Sequence, residues 1–286
     1  MISDITLGQF FPGESIIHRL DPRTKILLAI AFIVAVFLAV SPAAFLTLIL
    51  AVIILVAISG ISFKVILKGI KPIVFILIFT ALINVFLTKG EGDPLVSFWV
   101  IQIFEEGIVR AVFMAVRVIV LIVGTSTLLT YTTSPIALTD GIESLLYPLK
   151  LIGVPVHLFA MMMTIALRFI PTLVEETEKI MNAQKSRGAD FTSGSLLKRA
   201  KALIPILIPL FVSSFKRADE LATAMECRCY RGDKNRTKLV KLSFRFRDLA
   251  FFILGAGLVT LIVLMRTLPY NYEVKSAIYK IIFYRI

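Results

Sequence analysis

The segment Ala183-Gln184-Lys185-Ser186-Arg187-Gly188 returns in altered form forty-one residues later, as Ala224-Met225-Glu226-Cys227-Arg228-Cys229. In each copy an arginine follows an alanine by four residues. That spacing places both side chains on the same face of a helix. A small residue beneath an arginine lets a partner surface come close while the guanidinium projects into it. The two copies therefore predict two helices that end alike, and the rest of the chain is arranged around them.

The composition is that of an integral membrane protein. Of the 286 residues, 58% are hydrophobic, and the mean hydropathy is +0.90. Soluble domains are only about 45–50% apolar. The net charge is +12, but in a membrane protein the placement of basic residues reports orientation, so no nucleic-acid partner is expected. Met1-Ile2-Ser3-Asp4 leads into no basic and apolar leader, and no removable signal peptide is predicted.

Five membrane spans are predicted from the apolar runs. A helix needs about 20 residues to cross a bilayer. The first two runs are each slightly short, and Ser41-Pro42 separates them, because proline disfavours helix in the residue before it. A helical hairpin fits them best. The predicted spans are Lys25 to Ser41, Ala43 to Ser59, Ile70 to Thr88, Ile108 to Thr132 and Leu249 to Leu268.

The charges set the expected orientation. Lys64, Lys68 and Lys71 share one helix face and are expected at the cytoplasmic surface. The loop from Lys89 to Glu106 is poor in basic residues, which suits the external side. Arg117 lies deep in the fourth span, where a charge faces the bundle interior or a partner. Five spans with the N-terminus inside leave the basic C-terminal tail outside, against the positive-inside rule.

The chain is predicted to be an all-α membrane protein in three parts. These are residues 1–132 with about four spans, 133–248 with long cytoplasmic helices, and 249–286 with the last span and a tail. The middle part mixes apolar with charged residues, and no uninterrupted span is expected in it. Its three helices are predicted from Ser134-Pro135 to about Leu149, from Val156 to Arg187 with a stop at Gly188, and from Leu196 to Arg231 with a stop at Gly232.

Arg187 and Arg228 have two possible roles at these helix ends. A cation near a helix C-terminus complements the macrodipole, which is a purely structural role. A guanidinium is also a permanently charged planar fork that suits carboxylates or carbonyl oxygens of a partner. Both interpretations stay open from the residues alone.

The two cysteines indicate a reducing, cytoplasmic setting rather than a metal centre. Cys227 and Cys229 stand too close together for an easy mutual disulfide. The two histidines, His18 and His157, lie at no ligand spacing from them. No metal and no cofactor are predicted.

Several motifs together resemble the transmembrane T component of energy-coupling factor (ECF) transporters. The first helix end reads Ser186-Arg187-Gly188, and the second continues from Ala224 to Gly232. Leu20-Asp21-Pro22-Arg23-Thr24-Lys25 and Thr132-Thr133-Ser134-Pro135 are also similar, so the resemblance covers nearly the whole chain. Ser186 and Cys227 stand where that family often has alanine, and Cys229 stands where the first motif has glycine.

The resemblance implies a coupling subunit in a bacterial or archaeal cell membrane. Such a protein joins two cytoplasmic ABC ATPase subunits to a small membrane substrate-binding (S) component that captures a vitamin or similar micronutrient. The shared type of T component, which serves several S components, is the expected one. The expected ATPase-coupling residues are Ala183, Ser186, Arg187, Gly188, Ala224, Cys227, Arg228, Cys229 and Arg231. Independently, the chain contains no Gly-x-x-x-x-Gly-Lys-Ser/Thr phosphate loop, so ATP energy has to come from a partner.

Two other functions stay open from the residues. A permease with its own solute pathway places polar groups opposite each other at mid-membrane, and apart from Asn84 and Arg117 the spans offer few. An intramembrane enzyme needs paired acids, histidine clusters or a nucleophile with a base at membrane depth, and the spans supply none of these. The sequence does not name a transported substrate.

Overall fold

The structure is a computed structural model that describes residues 10–88, 96–98, 101–189, 191, 195–232 and 242–267. The predicted C-terminal tail, the sequence start considered for a signal peptide, and most of the loop from 89 to 106 lie outside these residues. Within them the fold is all-α apart from one small hairpin. Its strands β1 (Val96–Phe98) and β2 (Ile101–Ile103) are antiparallel, with Val96 opposite Ile103. The sequence analysis did not foresee this hairpin.

The helices follow the predicted order. Short 3-10 turns at Lys71–Ile73 and Tyr147–Ile152 follow α3 and α6, and a π-helical turn at Ser126–Tyr131 prolongs α5. The described helices are α1 (Pro22–Leu38), α2 (Pro42–Ser59), α3 (Phe63–Ile70), α4 (Val74–Leu87), α5 (Glu105–Thr125), α6 (Pro135–Leu146), α7 (Val156–Ser186), α8 (Leu196–Cys227) and α9 (Phe246–Thr267).

The prediction of an all-α membrane protein with about five spanning helices is confirmed, although the set of helices differs. Five described segments are long and apolar enough to cross a bilayer: 42–59, 63–87, 105–131, 156–186 and 246–267. Helix α1 has 17 residues, about 25 Å at 1.5 Å per residue, which is short of the roughly 30 Å hydrocarbon core. The segment 156–186, which the sequence analysis assigned to the cytoplasmic part, is among these five by length and composition, because the first half of α7 is almost wholly apolar. The third span also begins at Phe63, earlier than the predicted Ile70.

Capping residues explain where the first two helices begin. The Asp21 side chain accepts a hydrogen bond from the Arg23 backbone N–H, and Ser41 accepts one from Ala44. Proline occupies the first helical position in both, where its missing N–H is not needed. Gly60 ends α2 in the left-handed region at φ 69°, a conformation that glycine adopts without steric cost. The break predicted at Ser41-Pro42 is therefore present, and two separate helices lie on either side of it.

One compact unit comprises residues 9–141 and 242–286. Its core lies where α1, α2 and α5 pack together, and α9 packs along α1. A Cβ at Gly124 of α5 would overlap the Phe32 ring of α1, so glycine is needed for this close approach. The fully buried apolar side chains include Ala35, Val36, Ala39, Leu48 and Ile262.

Arg117 lies inside this unit and contacts the end of α1. Its Nη2 donates a 2.9 Å hydrogen bond to the Ala39 carbonyl oxygen. Its guanidinium carbon lies 5.3 Å from the centroid of the Phe45 ring, within range of a cation–π interaction. Of the two surroundings expected for this deep charge, the bundle interior or a partner protein, these contacts are with the bundle. The guanidinium satisfies a carbonyl that the helix end would otherwise leave without a partner.

The other compact unit includes residues 142–241. Its framework is the pair of long helices α7 and α8, which pack against each other. The boundary between the two units falls inside α6, after Gly141. The three-part division at 132 and 248 stays a prediction.

Candidate functional site

The first predicted site is the C-terminus of α7, and it has the geometry of a Schellman motif. The Gly188 N–H donates to the Lys185 carbonyl at 2.9 Å, and the Ala189 N–H donates to the Gln184 carbonyl at 3.0 Å. Gly188 has φ 88°, in the left-handed region that this motif requires. Arg187 is the C-cap residue. The predicted stop at Gly188 is confirmed.

The C-terminus of α8 has the same motif forty-one residues later. The Cys229 N–H donates to Glu226 at 2.8 Å, and the Tyr230 N–H donates to Met225 at 3.0 Å. Arg228 is the C-cap residue, as Arg187 is in α7. The prediction that α8 continues to Arg231 and stops at Gly232 was wrong. Cys229 takes the left-handed position with φ 56° and is the one non-glycine residue with positive φ among those described.

The predicted site residues therefore form two copies of one local structure. Each arginine N–H caps its helix by bonding to the alanine carbonyl four residues earlier, at 3.3 Å in both copies. Both arginines are exposed, and so are Ala183, Ser186, Gly188, Ala224, Cys227, Cys229 and Arg231. Within the described residues, neither Arg187 nor Arg228 lies at ion-pair distance from a carboxylate. Each end thus presents a solvated guanidinium on a fixed backbone turn.

The two copies lie at opposite ends of an antiparallel helix pair. Glu176 of α7 accepts hydrogen bonds from Ser213 and, at 3.0 Å, from Arg217 of α8. Towards the start of α7, the Tyr230 hydroxyl lies 3.1 Å from the sulfur of Met161. The contacts run in opposite chain directions, so the end of α8 lies beside the beginning of α7. Met161 and Arg187 are 26 positions apart, which separates the two arginine ends by about 40 Å along α7.

Polar contacts between the helices hold this arrangement. The Glu176 carboxylate bridges two residues of α8 and is charge-assisted by the Arg217 guanidinium. A hydrogen bond with an ionised partner contributes roughly 1.5–3 kcal/mol. Glu143 near the end of α6 lies 2.9 Å from Nδ1 of His157, in the first turn of α7. These contacts are made inside the unit that carries both arginines.

The cysteines do not form part of a metal cluster in the described residues. Cys227 and Cys229 are free thiols and exposed. The described part of the chain holds no group of three or more histidine, cysteine, aspartate or glutamate side chains that could bind a metal ion. The clearest structural peculiarity of these cysteines is therefore the backbone conformation of Cys229.

Sequence reasoning missed a buried polar cluster in the unit that contains α1. Lys25 is 1% exposed, and its ammonium group donates to the Thr132 carbonyl at 2.8 Å and to the Thr133 hydroxyl at 3.1 Å. Asp248 of α9 is 3% exposed and accepts a 2.8 Å bond from the Asp21 N–H. Both motifs that supply the cluster, around residues 20–25 and 132–135, stood out in the sequence. Nothing in the sequence indicated that the two motifs contact each other.

The chain has clear relatives. Residues 13–239 match the family model CbiQ, described as "Cobalt transport protein". A protein of Clostridium kluyveri is 52% identical over 266 residues, which cover 93% of this chain and 98% of the relative. A Bacillus subtilis protein is 46% identical over 266 residues, which cover 93% of this chain and all of the relative. Both are named "Energy-coupling factor transporter transmembrane protein EcfT". The chain belongs to this EcfT family.

Membership in the EcfT family confirms the resemblance given by the sequence motifs. All nine predicted site residues fall within the part of the chain that matches the family model. The relatives are named as transmembrane proteins of a transporter, in agreement with the apolar helices of this chain. The structure adds to this family assignment a pair of matching helix ends at the two ends of one helix pair.

Proposed function

We propose that this EcfT-family protein is the coupling subunit of an ECF-type ABC transporter, and that Arg187 and Arg228 dock on two cytoplasmic ATPase subunits. The observation that carries the proposal is the pair of matching Schellman ends, each with an exposed arginine, about 40 Å apart along α7. Two like ATPase subunits offer two like grooves at separate places. Matching ends held apart on a helix pair suit that arrangement, whereas charge at a helix end requires no such match.

The site residues have different roles at each helix end. The guanidinium binds acceptors in the groove, and the left-handed residue after it turns the chain sharply away. Ala183 and Ala224 lie one turn before the arginines and leave room for the groove wall. Closure of the ATPase pair on ATP then moves α7 and α8, and the helices pass this motion to an S component that binds a vitamin or similar micronutrient. ATP hydrolysis belongs to the ATPase subunits.

Apolar side chains on the long helices support a second docking surface. The exposed apolar residues of α8 lie at helical spacing on successive turns, and two of them are phenylalanines that are more than half exposed. The residues of this surface are Leu203, Ile204, Leu207, Ile208, Phe211, Val212 and Phe215. Such a surface suits an apolar partner in the membrane or at its inner face, as helix packing in lipid requires close van der Waals contact. We assign it to the S component and the bilayer.

The test is co-purification and transport with arginine variants. Losing one desolvated charge pair costs on the order of 2–5 kcal/mol, while a solvated helix-end cation contributes well under 1 kcal/mol. Arg187→Ala or Arg228→Ala should therefore lower substrate uptake per ATP hydrolysed, and the double variant should also lose the ATPases. Lysine at either position should rescue partly, because it keeps the charge and loses the fork.

Lys216→Ala is the matched control, since Lys216 is an exposed cation of α8 that lies 12 positions before Arg228 and next to Arg217, which contacts the middle of α7. It should retain ATPase binding and transport. If the double variant binds the ATPases and transports like the wild type, Arg187 and Arg228 have no role in coupling. A wild-type chain that captures no ATPase subunits would refute the proposed function itself.

A further inference from the structure

Lys25 is the most deeply buried charged residue among those described, with 1% of its surface exposed. All three hydrogens of an ammonium group seek acceptors, and three oxygens surround this one. They are the Thr132 carbonyl at 2.8 Å, the Thr133 hydroxyl at 3.1 Å and the His18 carbonyl at 3.3 Å. The side chain therefore fastens the first turn of α1 to the two residues that precede the α6 cap.

Two buried carboxylates complete this cluster, which we call the Lys25 junction (Asp21, Lys25, Thr132, Thr133 and Asp248). One oxygen of Asp248 accepts from the Asp21 N–H at 2.8 Å, and the other accepts from the Arg245 N–H at 2.8 Å. Asp248 thus ties the start of α9 to the start of α1. Asp21 in turn caps α1. The junction joins three chain segments that are more than 100 residues apart in sequence.

Helix α6 begins directly after the junction. Ser134 accepts a hydrogen bond from the Ala137 N–H at 3.3 Å. Further along α6, Gly141 lies so close to α1 that a Cβ there would be 3.0 Å from Cβ of Pro22 and 3.2 Å from Cδ1 of Ile26. The first half of α6 is therefore held against the first turn of α1 at two places, by hydrogen bonds before it and by close packing at Gly141.

We propose that Lys25 is a positioning residue of the transport cycle: it locks the start of α6 to α1, which Asp248 ties to α9, so that a displacement of α6 is passed to these helices. The inference rests on the proposed coupling function. A purely structural contact here could be apolar, because replacing buried ionic groups by well-packed apolar ones is often neutral or stabilising. A lysine with all three donors engaged fixes the direction of the contact as well as its existence.

The experiment uses the full complex in vesicles and compares Lys25→Met, Thr133→Val and the control Lys68→Met. Lys68 is exposed on α3. Lys25→Met should retain the ATPases and their hydrolysis while uptake per ATP falls about tenfold or more, as expected from the loss of charged hydrogen bonds. Thr133→Val removes one acceptor and should give a smaller decrease. Lys68→Met should match the wild type.

Amide exchange gives a second readout that needs no partner. In the purified full chain, Lys25→Met and Thr133→Val should speed exchange across residues 134–141, and Lys68→Met should not. Unchanged uptake per ATP in Lys25→Met would overturn the inference, as would an equal loss of uptake and hydrolysis, which indicates a merely structural role. If Lys25→Met does not assemble, the Thr133→Val variant tests the inference instead. A lower uptake per ATP hydrolysed in Thr133→Val supports the inference, and an unchanged uptake per ATP overturns it.

The outcomes separate this inference from the proposed function. Wild-type chain that captures no ATPases refutes the coupling role, whatever the Lys25 variants do. If the wild-type chain and the Lys25→Met variant show the same uptake per ATP hydrolysed, only the role of the Lys25 junction is refuted.

Discussion

Replacing Cys229 by glycine should stabilise the end of α8. Cys229 has φ 56°, and a residue with a side chain pays about 1–2 kcal/mol in the left-handed region because its Cβ approaches the following carbonyl oxygen. Glycine avoids this strain but loses about 0.5–1 kcal/mol more conformational entropy on folding. The difference leaves Cys229→Gly about 0.5–1 kcal/mol more stable. Gly188 already occupies the equivalent position at the end of α7.

The measurement is amide exchange of Tyr230, whose N–H bonds to the Met225 carbonyl at 3.0 Å and closes the motif. One kcal/mol is a factor of about five in a local opening equilibrium, so exchange in the full chain should slow by about two- to fivefold. Cys229→Val should have the opposite effect, since a β-branched residue is a genuine outlier at positive φ.

Cys227→Gly is the matched control, because Cys227 is the last helical residue and is also an exposed free thiol. Glycine in a helix costs about 1 kcal/mol, so this variant should exchange faster than the wild type. The same substitution at Cys227 and at Cys229 should therefore change the exchange rate of the Tyr230 amide in opposite directions. If both variants exchange faster, or Cys229→Gly does not slow exchange, the Schellman geometry assigned to α8 is wrong.

Three further outcomes are expected. Glu176→Gln should lower the free energy of unfolding of the α7–α8 pair by about 1–2 kcal/mol, which thermal unfolding in detergent would measure. Glu220→Gln, at an exposed position, should lower it by only a few tenths of a kcal/mol. Gly141→Ala should destabilise because its Cβ meets Pro22, while Gly257→Ala, with open space around it, should stabilise α9 slightly; equal signs would contradict the packing. A membrane-impermeant maleimide should label the two thiols in broken cells but not in intact ones, and equal labelling of both would overturn the predicted orientation.

Local patterns predicted the helix starts and the matching arginine ends. Proline and serine pairs marked the beginnings of α2 and α6, and Gly188 marked the end of α7. The same reasoning misplaced the end of α8, because it assigned the stop to the next glycine. Hydrogen bonds within the helix end override that preference, and they hold Cys229 in a conformation that its residue type disfavours.

Tertiary contacts account for what the sequence could not predict. The motif around Lys25 and the motif around Thr132 were both visible, but 107 positions separate the two residues that form the hydrogen bond. Periodicity carries no information at that range. The number of candidate spans was right while its members differed: the sequence analysis counted the slightly short run at 25–41 as a span and assigned the apolar first half of α7 to the cytoplasmic part.

The antiparallel packing of α7 and α8 determines how the proposed coupling residues act together. Two binding groups on one rigid support convert the second contact into an intramolecular step, which can raise overall affinity by about 10²–10⁴ without any new contact. This gain exists only when the separation of the groups matches that of their sites. The bonds from Ser213 and Arg217 to Glu176 help to set the separation of Arg187 and Arg228. Loosening that lock should therefore weaken ATPase binding even though Glu176 lies far from either arginine.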